Sequence, residues 1–429
     1  MLRKCLEGIA AISVLGLVTG CGGGSSGGGT GGGGTGGGNP TTVTFAVGTP
    51  APTVIATQAG TGQFTTATVN SGKVALAIPS GTTKFAVAYA CPSQTLFAVT
   101  LSTQMTLEAT TLDGNNFSLF CPSANGPTAI LTGTVDASAF NSPNESLEII
   151  ASNGSWVYGP GPLNTPNFSA ALPSGTDRVA LVIYDFSNPN NGTNILAVKN
   201  FDNQTVPGVF NGGSTAVIGS GDQVTQQLIS LENIPSGFSS PSVTSFYEWS
   251  NGGSFVTSQS TTQYPVLPAG ATEAGDRYLT WAVSINGTNP AQQVDVWSAN
   301  STPSPLTISF PSPWPYAGPT PAASPSFDLN YSGFGGTSGT YREVLLDWNS
   351  SSTSENQSQV FVSGNYLGDS TTVTFPDLSG LTGFAQAPIS GTSVNWGAEI
   401  LQSTFPAWQL VPANQTLTAV SNGGTYTVP

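Results

Sequence analysis

Four stretches of the sequence end an apolar run on proline, turn at a glycine and leave as a second apolar run. They are "LAIPSGTTKFAVAYA" from Leu76, "AALPSGTDRVALVIYD" from Ala170, "PVLPAGATEAGDRYLTWAVSI" from Pro265 and, more faintly, "VTFPDLSGLTGFAQAP" from Val373. Their prolines, Pro79, Pro173, Pro268 and Pro376, lie 94, 95 and 108 residues apart. That is the length of a small β-sandwich, not of a propeller blade or a solenoid turn. Upstream of each stands a strand, a polar turn and an aromatic opening the next strand: "VIATQAGTGQF" at 54–64, "LEIIASNGSWV" at 147–157, "FYEWSNGGSFV" at 246–256 and "VLLDWNSSSTSENQSQVFV" at 344–362. Helical periodicity is nearly absent, so the chain reads as all-β, a series of tandem antiparallel β-sandwich domains.

Composition sets the expected boundaries. Pro/Gly/Ser-rich breaks at 122–128, 234–242 and 311–326 divide the chain into sandwiches at 41–128, 129–232, 233–323 and 324–429. The last break, "PSPWPYAGPTPAASPS", holds six prolines and reads as a stiff linker spacing the fourth domain from the third. If the copies are equivalent, Phe64, Trp156, Phe255 and Phe361 occupy matching inward sites, facing Val87, Leu181 and Trp281 across the first three cores. Trp156, Trp249, Trp281, Trp348 and Trp396 lie in expected strands and are read as core residues. In "RVALVIYDF" both faces are apolar, the mark of a central strand covered on each side.

Residues 1–20 form a secretory signal: a basic start at Arg3 and Lys4, then an apolar stretch from Gly8 to Val18 too short to span a bilayer. It ends Val18-Thr19-Gly20-Cys21, which resembles the bacterial lipobox. The resemblance implies that Cys21 carries a thioether-linked diacylglycerol and becomes the first residue after cleavage. Residues 22–38 contain 13 glycines and cannot bury a core, so 21–40 is expected to be a lipidated cysteine followed by a disordered tether.

The mature chain then keeps two cysteines, Cys91 and Cys121, in the matching contexts "AYACPS" and "SLFCPS". A disulfide is the expectation in an exported chain; two buried thiols are the alternative. The formal charge is −14, and the six basic residues beyond the signal, Lys73, Lys84, Arg178, Lys199, Arg277 and Arg342, are dispersed. This argues against nucleic acid as a partner. Histidine is absent, which removes imidazole catalysis, and no lysine stands three residues after a serine beyond the signal. Only paired carboxylates remain for catalysis, and Glu145/Glu148 and Glu273/Asp276 read as solvated turn residues. No catalytic residue, cofactor or metal ligand is therefore assigned; "LDGNN" at 112–116 lacks the charge count of a calcium loop.

The strand rhythm of the repeats resembles immunoglobulin-like or fibronectin-like modules of bacterial surface lipoproteins, without the Cys…Trp…Cys arrangement of true immunoglobulin domains. The resemblance implies a non-catalytic protein of the cell envelope, at the outer membrane or cell surface, held by its lipid and presenting sandwiches to a protein or glycan ligand. A carbohydrate-binding or carbohydrate-active envelope protein and a purely structural spacer are the alternatives.

Overall fold

The computed structural model describes residues 41–96, 99–121, 128–140, 142–151, 154–158, 163, 167–186, 194–251, 253–287, 291–334, 340–405 and 411–429. Short runs rich in Val, Ile, Thr and aromatics become strands, as their pleated, half-buried setting favours. Four units follow one plan. The first holds β1 (Thr41–Val47), β2 (Val54–Ala59), β3 (Thr65–Thr66), β4 (Lys73–Ile78), β5 (Lys84–Ala90), β6 (Gln94–Leu96), β7 (Val99–Thr110) and β8 (Asn116–Leu119). Its small sheet is β4-β1-β8, antiparallel then parallel, and its larger ladder is β3-β2-β5-β7.

The second unit holds β9 (Thr128–Asp136), β10 (Glu145–Ala151), β11 (Gly154–Tyr158), β12 (Asn167–Pro173), β13 (Gly175–Asp185), β14 (Asn194–Val206), β15 (Gly208–Val209) and β16 (Ala216–Val217). The third holds β17 (Thr225–Glu232), β18 (Ser242–Glu248), β19 (Ser254–Ser258), β20 (Gln263–Val266), β21 (Arg277–Asn286), β22 (Ala291–Asn300) and β23 (Leu306–Ser309). In the fourth are β24 (Ser326–Asp328), β25 (Thr340–Ser351), β26 (Ser354–Ser363), β27 (Thr372–Thr374), β28 (Ser393–Ser403) and β29 (Gln415–Thr427). The four repeat prolines take one topological position. Each stands at or just after the end of β4, β12, β20 or β27, where the chain leaves a small sheet for a long strand of a large ladder.

The large ladders do not end at the unit borders. β22 pairs antiparallel with β29 from Ala291↔Gly423 to Ala299↔Gln415. β26 pairs in parallel with β7 from Ser354↔Thr100 to Val362↔Glu108. β14 meets β19 at Asn194↔Ser258. One sheet thus runs through the first, fourth, third and second units in that spatial order. An open edge strand presents a row of unpaired N–H and C=O groups, and joining edge to edge satisfies them internally.

The core follows the same pattern. One apolar cluster spans three units, from Val182 and Tyr184 through Trp249, Tyr264 and Val294 to Trp348, Val360 and Trp396. Separate clusters fill the second sandwich around Leu131, Leu181 and Phe210, and the first around Phe45, Phe85 and Phe117. β13 is covered on both faces: Val179, Leu181 and Ile183 face the second core, while Ala180, Val182 and Tyr184 face the shared one.

Three expectations need correction. β17 pairs with β20 and β23 and belongs to the third unit, so the composition break at 234–242 marks a loop inside that unit rather than its start. The proline-rich stretch 311–326 is a packed strap, not a spacer. Trp314 is buried and stacks on Tyr316 at 4.6 Å, its indole N–H donates to Asn330 O, and Asn422 Nδ2 donates to Trp314 O. Gly318 has φ +104, and a Cβ there would come within 2.8 Å of the Trp396 ring, so glycine is required. The four aromatics are also not equivalent. Phe255 lies in the shared core, but Phe64 packs beside Leu378 and Phe384, and Phe361 and Trp281 pack on the opposite face of the sheet with Trp297. A strand covered on both faces offers two inward directions, and the sequence pattern does not distinguish them. The side chain of Trp156 lies outside the described residues.

Candidate functional site

Three carboxylates come together on the face of the joined sheet opposite the shared core: Asp295 on β22, Glu343 on β25 and Glu399 on β28. Strand alternation puts Glu343 on this face and its neighbour Arg342 on the other. Register then makes a row, with Glu343 beside Glu399, Glu399 beside Ser421 and Ser421 beside Gln293. Directly opposed side chains in an antiparallel pair hold their Cβ atoms about 4.5–5.5 Å apart. Around the row pack Tyr341, Leu401 and Leu417, with Trp281 and Trp297 stacked at 5.2 Å and 11°.

Donors are scarce on this face. Trp281 Nε1 and Gln293 Nε2 each donate to Asp295 at 2.8 Å, and Gln359 Nε2 donates to Glu343 Oε1 at 2.6 Å. Glu399 Oε2 and Ser421 Oγ are buried with no hydrogen-bond partner among the described residues. Arg277, on β21 of the same sheet, is bound to both oxygens of Glu248 at 2.8 Å. Burial pushes Asp295 up to about 6 despite its two donors. Burial also raises Glu343, and it raises Glu399 further with the charges of Glu343 and Asp295 added. Two neighbouring carboxylates in a medium of low dielectric do not both ionise readily. Glu343 and Glu399 therefore hold proton between them into the neutral range. Each is only 6% exposed, so the pair is a packed element of the sheet whose burial favours the protonated form.

The sites expected from the sequence fall elsewhere. Cys91 and Cys121 form a disulfide with Cα atoms 5.4 Å apart, tying the end of β5 in the large ladder to the end of β8 in the small sheet. Cys21 and the glycine-rich stretch lie outside the described residues. Glu145 accepts from Ser142 N in a local turn. Asp276, read from the sequence as a solvated turn residue, is buried: Tyr247 Oη, Ser250 N and Glu273 N all donate to it, and Arg178 Nη1 meets it at 2.8 Å. Asp113 of "LDGNN" is occupied by Thr110 of its own turn and by Ser363 and Asn365 of the fourth unit. Among the described residues no group of three or more acidic or cysteine side chains is placed to hold a metal ion, and no helix is long and apolar enough to cross a membrane.

Sequence reasoning missed Asp295, Glu343 and Glu399, although a signal was present. Each interrupts an apolar strand run, in "QVDVW", "YREVLL" and "GAEIL", and charged residues are rarely buried unless something answers the charge.

No protein-family model matches the chain, and no curated protein matches it. A solved structure from an Antarctic bacterium, described as "Ca2+-stabilized adhesin helps an Antarctic bacterium reach out and bind ice", aligns over 88% of this chain and 90% of that one, at 11% identity and a TM-score of 0.13. Overlap that low carries no argument for a shared fold or role, and the functional reading rests on this chain's own residues.

Proposed function

We propose that this is a non-catalytic, lipid-anchored protein of the cell envelope that presents a rigid β platform for adhesion or ligand binding. The observation that carries the reading is the joining of the unit ladders. β22–β29 and β26–β7 weld the units by backbone hydrogen bonds, which suits a surface held in fixed shape more than a set of hinged catalytic domains. The lipobox at Val18–Cys21 and the glycine tract behind it supply the anchor and the tether. With two or three acyl chains on Cys21 the attachment is stable, and a tether of this composition holds the platform on the order of 20–25 Å from the lipid.

The carboxylate row favours the non-catalytic reading, because Glu343 and Glu399 are enclosed by neighbouring side chains rather than standing in an open cleft. Replacing Cys21 with Ser is the test of the anchor: lipid labelling should disappear and the protein should leave the membrane fraction. The soluble Cys21→Ser protein should then be retained by purified envelope material. Persistent lipid labelling rejects the anchor, and failure to bind any envelope fraction rejects the binding role in favour of a spacer.

A further inference from the structure

The large ladders repeat one strand order: β3-β2-β5-β7, β11-β10-β13-β14, β19-β18-β21-β22 and β26-β25-β28-β29. Joined, they make a sheet that is palindromic about the β22–β29 seam, because β7 on β26 at one side answers β14 on β19 at the other. The two ends of the sheet are the counterpart hairpin strands β3 and β11. In the fourth and third units the equivalent strands, β26 and β19, hold another unit's long strand on their outer edge. Among the described residues β3 pairs with β2 alone.

The direction of the backbone groups along β3 follows from its pairing. Thr65 stands opposite Thr57, and Ala67 N donates to Ile55 O at 2.8 Å, so these two residues turn toward β2. Alternation then points the N–H and C=O groups of Thr66 and Thr68 away from it. Thr65, Thr66, Thr68 and Val69 are exposed. From Gly60 to Gly72 the chain has no charged residue and no proline, so the side chains that commonly blunt an edge are missing, and shortness is left to limit what pairs there.

We propose that β3 is a self-association edge, pairing antiparallel with the β3 of a second copy of this chain. Thr66 of one copy faces Thr68 of the other, each such pair exchanging both backbone hydrogen bonds. The molecule already contains the arrangement: β22 and β29 are counterpart strands of two units and pair antiparallel, edge to edge. β3 on β3 repeats it between chains, and the twofold axis closes the assembly as a dimer. Although each chain carries a net charge of −14, this edge meets its own copy with no like charges opposed. The chain also enters the first unit directly from the glycine-rich stretch, at Thr41 of β1. Two copies anchored as proposed above would therefore hold their β3 edges at the same distance from one membrane, but the pairing itself rests on the sheet and not on the anchor.

Sedimentation equilibrium of the full chain in its soluble Cys21→Ser form, at physiological salt to screen the net charge, is the test. A short backbone seam should give a weak dimer that dissociates at micromolar concentrations. Thr66→Pro removes an outward N–H that β2 does not use and should weaken the dimer at least about tenfold. Thr68→Pro, beyond the two-residue strand, should do the same, whereas Thr66→Val keeps the N–H and should leave the dimer as tight as before. Matching thermal melts verify that the variants fold. A chain that stays monomeric at every concentration overturns the proposal, as does a dimer that both proline variants leave intact or that Thr66→Val weakens equally. A monomer that instead takes a synthetic extended peptide at this edge, and loses it in Thr66→Pro, assigns the edge to a foreign strand and also overturns self-association. Retention by envelope material is a separate readout, so the binding role stands or falls independently of the dimer.

Discussion

Arg178 and the Glu343–Glu399 row are two buried groups of charge in one sheet, and they are built on opposite terms. At the seam of the second and third units, Arg178 Nε meets Asp202 at 2.9 Å and Nη1 meets Asp276 at 2.8 Å; Glu273 pairs with the remaining nitrogen, and the guanidinium lies 5.8 Å from the Trp249 ring centre. Every charge there has an opposite partner, and Asp276 gains three further donors. In the row on β25 and β28 there are acceptors but, among the described residues, no cation paired with them. Arg277 is committed to Glu248, and Arg342 projects from the other face. Protons must make up the difference. The contrast teaches that the two sites meet burial differently, the clasp with opposite charges and the carboxylate row with protons.

Removing one partner from the balanced group should have the largest effect. Asp276→Ala removes the one buried carboxylate from Arg178, leaves it the half-exposed Asp202 and Glu273, and strands the Tyr247 hydroxyl; equilibrium denaturation should register a loss of about 2–4 kcal/mol. A loss below about 1 kcal/mol would mean that the clasp is not structural.

The unbalanced group should instead make stability depend on pH. Folded-state burial raises Asp295 to about 6 and Glu108 to about 7, and raises Glu343 and Glu399 as well, against about 4 for carboxyls of the unfolded chain. The folded protein therefore binds more protons than the unfolded one between about pH 4 and 7. This contribution is complete below about pH 4 and is lost as pH rises through 6 to 7. Thermal melts should give a higher Tm at pH 5 than at pH 8; the reverse order would contradict the account.

Glu399→Gln sharpens the same point. The amide keeps the shape without the charge, so it should stabilise the protein at pH 8 by on the order of 1–3 kcal/mol, the cost of leaving a buried polar group unanswered, and change little at pH 5. The smallest effect belongs to a pair at the surface. Lys199 and Asp222 approach to 3.7 Å with partly exposed side chains, and Lys199→Ala should shift stability by less than about 1 kcal/mol.

How much of this was legible depends on the range of the interaction that fixes each feature. The proline turns at Pro79, Pro173 and Pro268 and the doubly apolar strand of Leu181 are local patterns, and they point directly to strand positions and to β13 as a central strand. The Cys91–Cys121 pairing followed from matched contexts in one unit. The β26–β7 ladder was not legible, because a backbone seam between strands some 250 residues apart imposes no side-chain period on either. Composition misled at 311–326, where Trp314 and Tyr316 turn a proline-rich stretch into packed structure. The carboxylate row was half legible: a charge within an apolar run flags burial, but only the register of β25 on β28 puts Glu343 beside Glu399.

The most direct test of that row is infrared detection of protonated carboxyl groups at pH 6.5, comparing the wild-type protein with Glu343→Gln and Glu399→Gln. Ordinary glutamates are almost fully ionised there. The account predicts a protonated-carboxyl band in the wild type that weakens in both variants. A wild-type protein with no such band at pH 6.5, its carboxyls all ionised, would contradict it.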